Sequence, residues 1–177
     1  NYAPLKSADI RYAISSAVSR STLATRAFYT NAVPATGFFH PDWKEVSDFQ
    51  TIQPTADLKI SVENLANIGY NRLNEDGYYE NMHGNILEFT LLVNSDSATK
   101  LAAAQLIADQ LKSAGIKITL VPLSKDAYFS ALKAGQFQLY LGEIKLLPNM
   151  DMRSLVAAGG KAAYGIVNAT QTTVTED

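Results

Sequence analysis

The chain has 177 residues, 47% of them hydrophobic and 18% charged, which is enough apolar content to fill a core and the length of one domain, or of one lobe of something larger. Its 15 basic residues nearly balance 17 acidic ones for a formal net charge of −2, and that balance argues against nucleic acid, which usually demands a basic face. The lack of cysteine excludes disulfides, thiolate metal sites and a cysteine nucleophile, and no apolar stretch approaches membrane-spanning length.

Taken in order, Pro4-Leu5-Lys6 is a short lead-in. Ser7 has the chemistry of an N-cap, and Asp9 places a carboxylate in the first turn, where the helix dipole favours it. Ile10, Ala13, Ile14, Ala17 and Val18 form one apolar stripe. Ser19-Arg20-Ser21 interrupts, and Ser21 is expected to cap a second helix whose buried side is Leu23, Ala24, Ala27 and Phe28. Between Ala32 and Pro54 no period survives, and Pro34, Gly37 and Pro41 punctuate a long loop. That loop carries Phe38, Phe39, His40, Trp43 and Phe49. Irregular chain with this much aromatic area is either pinned to the body or lines a binding surface.

Residues 58–68 have helical spacing with Leu58, Val62, Leu65 and Ala66 inside and Gly69 as the stop. Asp76-Gly77 and Gly84-Asn85 are turn signals, so residues 78–82 are expected to form a small hairpin arm. A calcium loop with Gly77 at its sixth position would place Arg72 first and His83 twelfth. Such loops need carboxylates at both, so this reading is excluded.

Residues 86–143 set the plan of the chain. Residues 86–93 are rich in β-branched, aromatic and leucine side chains and stop at Asn94-Ser95-Asp96. Residues 97–114 have helical spacing, with Leu101, Ala104, Ile107, Ala108 and Leu111 on one arc and Gly115 as the stop. Residues 116–121 alternate as a strand up to Pro122, residues 124–133 form a shorter helix, and residues 137–143 a third strand. Strands alternating with helices predict crossover connections and a mixed, mostly parallel sheet flanked by helices, an α/β fold. Ligands in open α/β sheets collect at the carboxyl ends of strands. The Val93-Asn94-Ser95 corner and the Gly142-Glu143 end are therefore the first candidate site. Beyond them, Asn149 or Asp151 is expected to cap a short helix over residues 152–158, and residues 168–177 to fray.

Chemistry-bearing motifs are missing. The sequence has no GxGxxG, no phosphate loop and no GxSxG elbow. The two histidines, His40 and His83, fall in loops and outside any metal-ligand spacing. No metal or other cofactor is called for. A binding module is favoured over the rivals, a small α/β transferase or hydrolase with its site at the same strand ends, or an interaction module with no small ligand.

Several segments then resemble, in order, the second lobe of the oligopeptide- and dipeptide-type solute-binding proteins of ABC importers. Pro4-Leu5, Asp9-Ile10-Arg11-Tyr12-Ala13-Ile14 and Ser19-Arg20 resemble the family's "PL", "VRQAI" and "A-DR". Pro34-Ala35-Thr36-Gly37 resembles "PA-GP", and Asn67-Ile68-Gly69-Tyr70 with Asp76-Gly77 resembles "AGY … DGDG". Gln105-Leu106-Ile107-Ala108 through Gly115-Ile116-Lys117-Ile118 resembles the long helix and its following strand, and Gly135-Gln136-Phe137-Gln138-Leu139 resembles "G-FDL". The sequence departs from the pattern at Ser19, where the family has an aspartate, and near Leu147, where peptide binders carry an acidic residue for the peptide amine.

The resemblance implies one α/β lobe of a two-lobed receptor, the other lobe being built from sequence before Asn1 and after Asp177. It implies capture of peptides, or of other small solutes, in a cleft between hinged lobes, and delivery to membrane permease subunits. The implied place is the outer face of the cytoplasmic membrane, lipid-anchored, or a periplasm. On that reading residues 139–144, with Gly142 and Ile144 among them, offer backbone groups to an extended ligand. Glu143 supplies charge for an ammonium, with Asp151 as a substitute. Asn94, Ser95 and the start of the long helix give donors, Asn149 lies on the same rim, and Phe38 and Trp43 shield the cleft.

Overall fold

The computed structural model describes residues 3–48, 53–145, 151–157 and 159–164. A 3-10 turn at Ala3–Lys6 leads into α1 (Ala8–Ala17), α2 (Arg20–Arg26), the one-turn α3 (Lys44–Ser47) and α4 (Leu58–Asn67). Then come β1 (Arg72–Leu73), β2 (Tyr79–Glu80), β3 (Glu88–Asn94), α5 (Ala98–Ser113) and β4 (Lys117–Leu123). The described chain closes with α6 (Lys125–Lys133), β5 (Leu139–Tyr140) and the short α7 (Arg153–Val156).

The main sheet has the order β4-β3-β5, and both pairings are parallel. That is the α/β arrangement the sequence predicts, with α5 and α6 as the crossovers. β3 is the middle strand and therefore the most apolar: Phe89, Leu91, Leu92 and Val93 are all buried. The strand's period of two sorts them. Phe89 joins Ile10, Ala13, Leu65 and Leu111 in a core shared with α1, α4 and α5. Leu91 and Val93 meet Ala104 of α5, whereas Leu92 joins Tyr128 and Leu132 of α6. One face of the sheet thus belongs to α5 and the other to α6.

β4 runs one residue past Pro122, which the sequence marks as its stop; Pro122 instead lies opposite Val93 in the ladder. Among the described residues β4 is an edge strand, where a proline without an N–H is tolerated. β5 is shorter than expected. The side-chain Oε1 of Gln138 accepts the Thr90 backbone N–H at 2.6 Å, taking the place of a ladder carbonyl, and pairing resumes only beyond it. β1 and β2 form the expected hairpin arm, with Arg72 opposite Glu80 and Ile86 bridged to Glu80. The arm is pinned to the sheet where Tyr79 N donates to Gly115 O at 2.9 Å. Gly115 has φ +75°, and a Cβ there would lie 2.4 Å from the Tyr79 ring, so both the helix stop and the close approach require glycine.

The expected buried faces hold at Ile10, Ala13 and Ala17 of α1, at Ala24 of α2 and at Ala27 just past its end, and the departures elsewhere have tertiary reasons. Ser19, not Ser21, caps α2: its hydroxyl accepts from Thr22 N at 3.1 Å while its own N–H donates to Gln110 Oε1 of α5 at 2.6 Å. Phe28, expected inside, is exposed. In α4 the buried residues are Ser61 and Leu65, and Leu58 is exposed. Ser61 Oγ donates to Ala13 O at 2.9 Å, so small residues let α1 and α4 approach and turn α4 about its axis. In α5, Ala103, Ala104 and Leu111 are buried, and the rest of the expected arc is half-buried. Ser7 makes no side-chain cap bond; the Arg11 guanidinium instead donates to the carbonyls of Leu5, Lys6 and Ser7.

Candidate functional site

A cleft of about 350 Å³ opens where the carboxyl ends of β3 and β5 meet the start of α5 and the exposed side of α6. Asn94 ends β3, and Tyr140, Gly142, Glu143 and Ile144 follow one another along β5 and its extension. Lys100 comes from the first turn of α5, and α6 supplies Lys125, Tyr128, Phe129 and Leu132. Phe38 reaches the cleft from the irregular loop, and Leu155, Ala162 and Tyr164 close the far wall. Spacing explains the α6 contribution, because Lys125 and Phe129, and Tyr128 and Leu132, are each four residues apart on a helix that starts at a strand end.

The floor is aromatic and hydrogen-bonded. Tyr128 is buried, and its phenol donates to Leu141 O at 2.9 Å, while Leu141 N donates to Leu92 O at 2.9 Å. Its phenol is pushed up from 10.0 to about 12, first by burial and then by the neighbouring Tyr140, Tyr164 and Glu143. Burial and Tyr164 push Tyr140 up as well. Tyr140 is held edge-on by Phe137, with ring centroids 5.0 Å apart, and by Tyr164 at 6.1 Å. A Cβ on Gly142 would fall 2.7 Å from Cε2 of Tyr140, so glycine at that position is what lets the ring lie beside the strand.

The raised Tyr128 value carries a pH consequence. In the unfolded chain the phenol ionises near its ordinary value of 10.0, while the native state keeps the proton to about 12. The stabilisation is complete below pH 10 and is lost as pH rises through 12. Denaturant titrations across that window are expected to show a fall in stability that Tyr128→Phe reduces.

The rim carries charge. Lys100 Nζ lies 2.8 Å from Glu143 Oε1; the lysine side chain is 20% exposed and the carboxylate 75%. The Asn94 side chain accepts from Asp96 N at 3.0 Å, and Asp96 in turn accepts from Lys125 N at 3.0 Å, tying the end of β3 to the start of α6.

Of the residues expected here, Phe38, Asn94, Gly142, Glu143 and Ile144 are brought together in one cleft. Trp43, Ser95 and Asp151 do not line it. Trp43 stacks on Phe39 with centroids 6.2 Å apart, and Ser95 N donates to Leu123 O at 2.7 Å. Asp151 is engaged by Arg153, whose backbone N and Nε each donate to it at 2.9 Å, and this holds its carboxyl down at about 2. Asn149, Phe49 and the tail at 168–177 lie outside the described residues. Lys100, Lys125 and the α6 face are the residues that sequence spacing did not single out. His40 and His83 are exposed, and among the described residues no group of three or more His, Asp or Glu side chains is placed to hold a metal ion. Nor is any described helix long and apolar enough to cross a membrane.

The model of the bacterial extracellular solute-binding proteins, family 5 (Middle), matches residues 1–163. The chain belongs to that family. Family 5 members are extracellular solute-binding proteins, the class the sequence resemblance points to. Over 107 residues the chain is 30% identical to a Deinococcus radiodurans protein named "Probable ABC transporter-binding protein", covering 60% of this chain and 17% of that one. Its fold is similar to lactococcal OppA complexed with an endogenous peptide in the closed conformation, with a TM-score of 0.76 and 21% identity, over 93% of this chain and 32% of that one. It is also similar to NikA from Brucella suis in complex with Fe(III)-EDTA, with a TM-score of 0.73 and 17% identity, over 89% and 32% of the two chains. The chain therefore spans less than a third of the length of these relatives.

Proposed function

We propose that residues 1–177 form one α/β lobe of a two-lobed receptor that captures an extracellular solute, by preference a peptide, and hands it to the permease of an ABC importer. The observation that carries this reading is the cleft: an aromatic-floored space of about 350 Å³ at the carboxyl ends of parallel strands in a family 5 chain. A ligand laid along residues 139–144 would meet backbone groups of β5, which has β3 as its sole partner among the described residues. Asn94, Gly142 and Ile144 are the contacts closest to that path, Phe38 and Phe129 are its apolar walls, and hinge closure of the second lobe would exclude water. On this reading the chain is not an enzyme, and the receptor works outside the cytoplasmic membrane, lipid-anchored or free.

Titration calorimetry with a mixed tripeptide pool tests the proposal. The complete receptor is expected to bind and the isolated lobe to bind far more weakly, because half of the contacts are gone. Equal, tight binding by the isolated lobe would contradict it.

A further inference from the structure

Three charged side chains from three elements meet the cleft among the described residues: Lys100 of α5, Lys125 of α6 and Glu143 after β5. They are not equivalent. Lys100 Nζ is 2.8 Å from Glu143 Oε1, and its side chain is mostly covered, so the two charges sit together as one neutral unit. Lys125 forms no ion pair among the described residues. Asp96, its neighbour in the hydrogen-bond pattern, accepts from the Lys125 backbone N–H and lies off the cleft lining. The other polar side chains that close the lining, Tyr128, Tyr140 and Tyr164, are phenols and not carboxylates. An approaching ammonium would meet Lys100 beside Glu143 and gain little. An approaching carboxylate would meet the exposed Lys125 ammonium, which has no ion-pair partner among the described residues to compete for it.

We propose that Lys100 neutralises Glu143 in place, and that this cleft receives the carboxylate of its ligand on Lys125 rather than an amine on Glu143. The inference rests on the solute-capture reading above. The carboxylate has two possible sources, a peptide C-terminus or an acidic side chain.

The test is calorimetry on the complete receptor with a pool of tripeptides bearing neutral side chains, as free peptides, as N-acetylated peptides and as C-terminal amides. Amidation is expected to weaken binding by about tenfold, the scale of one charge-assisted contact, and acetylation to leave it nearly unchanged. A fourth pool, amides carrying one glutamate, separates the sources: recovered affinity shows that a side-chain carboxylate serves as well, and none restricts the contact to the C-terminus. Lys125→Gln should bind acid and amide alike. Lys100→Met frees Glu143 and should make the acetylated pool the weaker binder. Weakening by acetylation with indifference to amidation, or an unchanged acid-to-amide ratio in Lys125→Gln, overturns the inference while leaving solute capture standing. Failure of every pool to bind the unaltered receptor overturns the capture reading, and this inference with it.

Discussion

Phe89→Ala is expected to lower the stability of the lobe by about 3–5 kcal/mol, the cost of emptying a site that cannot collapse around the missing ring. Phe89 has no exposed surface and lies on the central strand, in the cluster that joins α1, α4 and α5 to the sheet. Domains of this kind are stable by only about 5–15 kcal/mol, so the variant would stand near the threshold of folding. Urea denaturation reads the effect as a lowered midpoint with an unchanged slope. Met82→Ala is the control: Met82 is 85% exposed on the hairpin arm, and its loss should stay within about 0.5 kcal/mol. Comparable stability for the two variants would mean that β3 is not the centre of the core.

Gly142→Ala is expected to damage binding far more than folding. The new Cβ would meet the Tyr140 ring at 2.7 Å, and Phe137 and Tyr164 already hold that ring edge-on. With two rings already packed against it, the ring must shift or push the strand end away from it. Either movement misplaces the segment proposed to hold the ligand, and a loss of on the order of tenfold in affinity is expected, the scale of one binding hot spot. Gly142 does not have the positive φ that would penalise any side chain, so the stability cost should be modest. Tyr140→Ala combined with Gly142→Ala removes the clash and should recover the strand position without recovering the aromatic floor. Peptide titrations of both variants beside the unaltered receptor separate these effects.

How far the sequence discloses this molecule depends on whether a feature is local. The parallel order around β3 was legible because residues 86–143 alternate strand and helix patterns, and Gly115 marked the end of α5 through a conformation that glycine alone adopts readily. The faces of α2 and α4 are legible only in part: Ala24, Ala27 and Leu65 are buried as expected, whereas Phe28 and Leu58 are exposed. Their rotation is set by the Ser19 bond to Gln110 and the Ser61 bond to Ala13, pairs separated by 91 and 48 residues, which no period can announce. The site divides in the same way. Asn94, Gly142, Glu143 and Ile144 follow from the rule that ligands collect at strand ends, and Phe38 from an aromatic loop that either packs on the body or lines a binding surface. Lys100 and Lys125 were hidden, because each reads as an ordinary polar residue in a first helical turn until the crossovers carry both to the same rim. Trp43 stacks on Phe39 and does not line the cleft; composition says that a ring lies in the loop, not which way it turns. The charge of Glu143 is legible in the sequence, and the lysine 2.8 Å from it is not.

Solute is proposed to meet this lobe at the rim where β3 and β5 end. Backbone hydrogen exchange on the complete receptor, with and without a saturating tripeptide pool, tests it most directly. Protection on binding is expected to concentrate in residues 139–144 and at Asn94, with α6 following through Tyr128. Protection confined to the opposite side, along α1 and α2, with residues 139–144 exchanging as before, would contradict it.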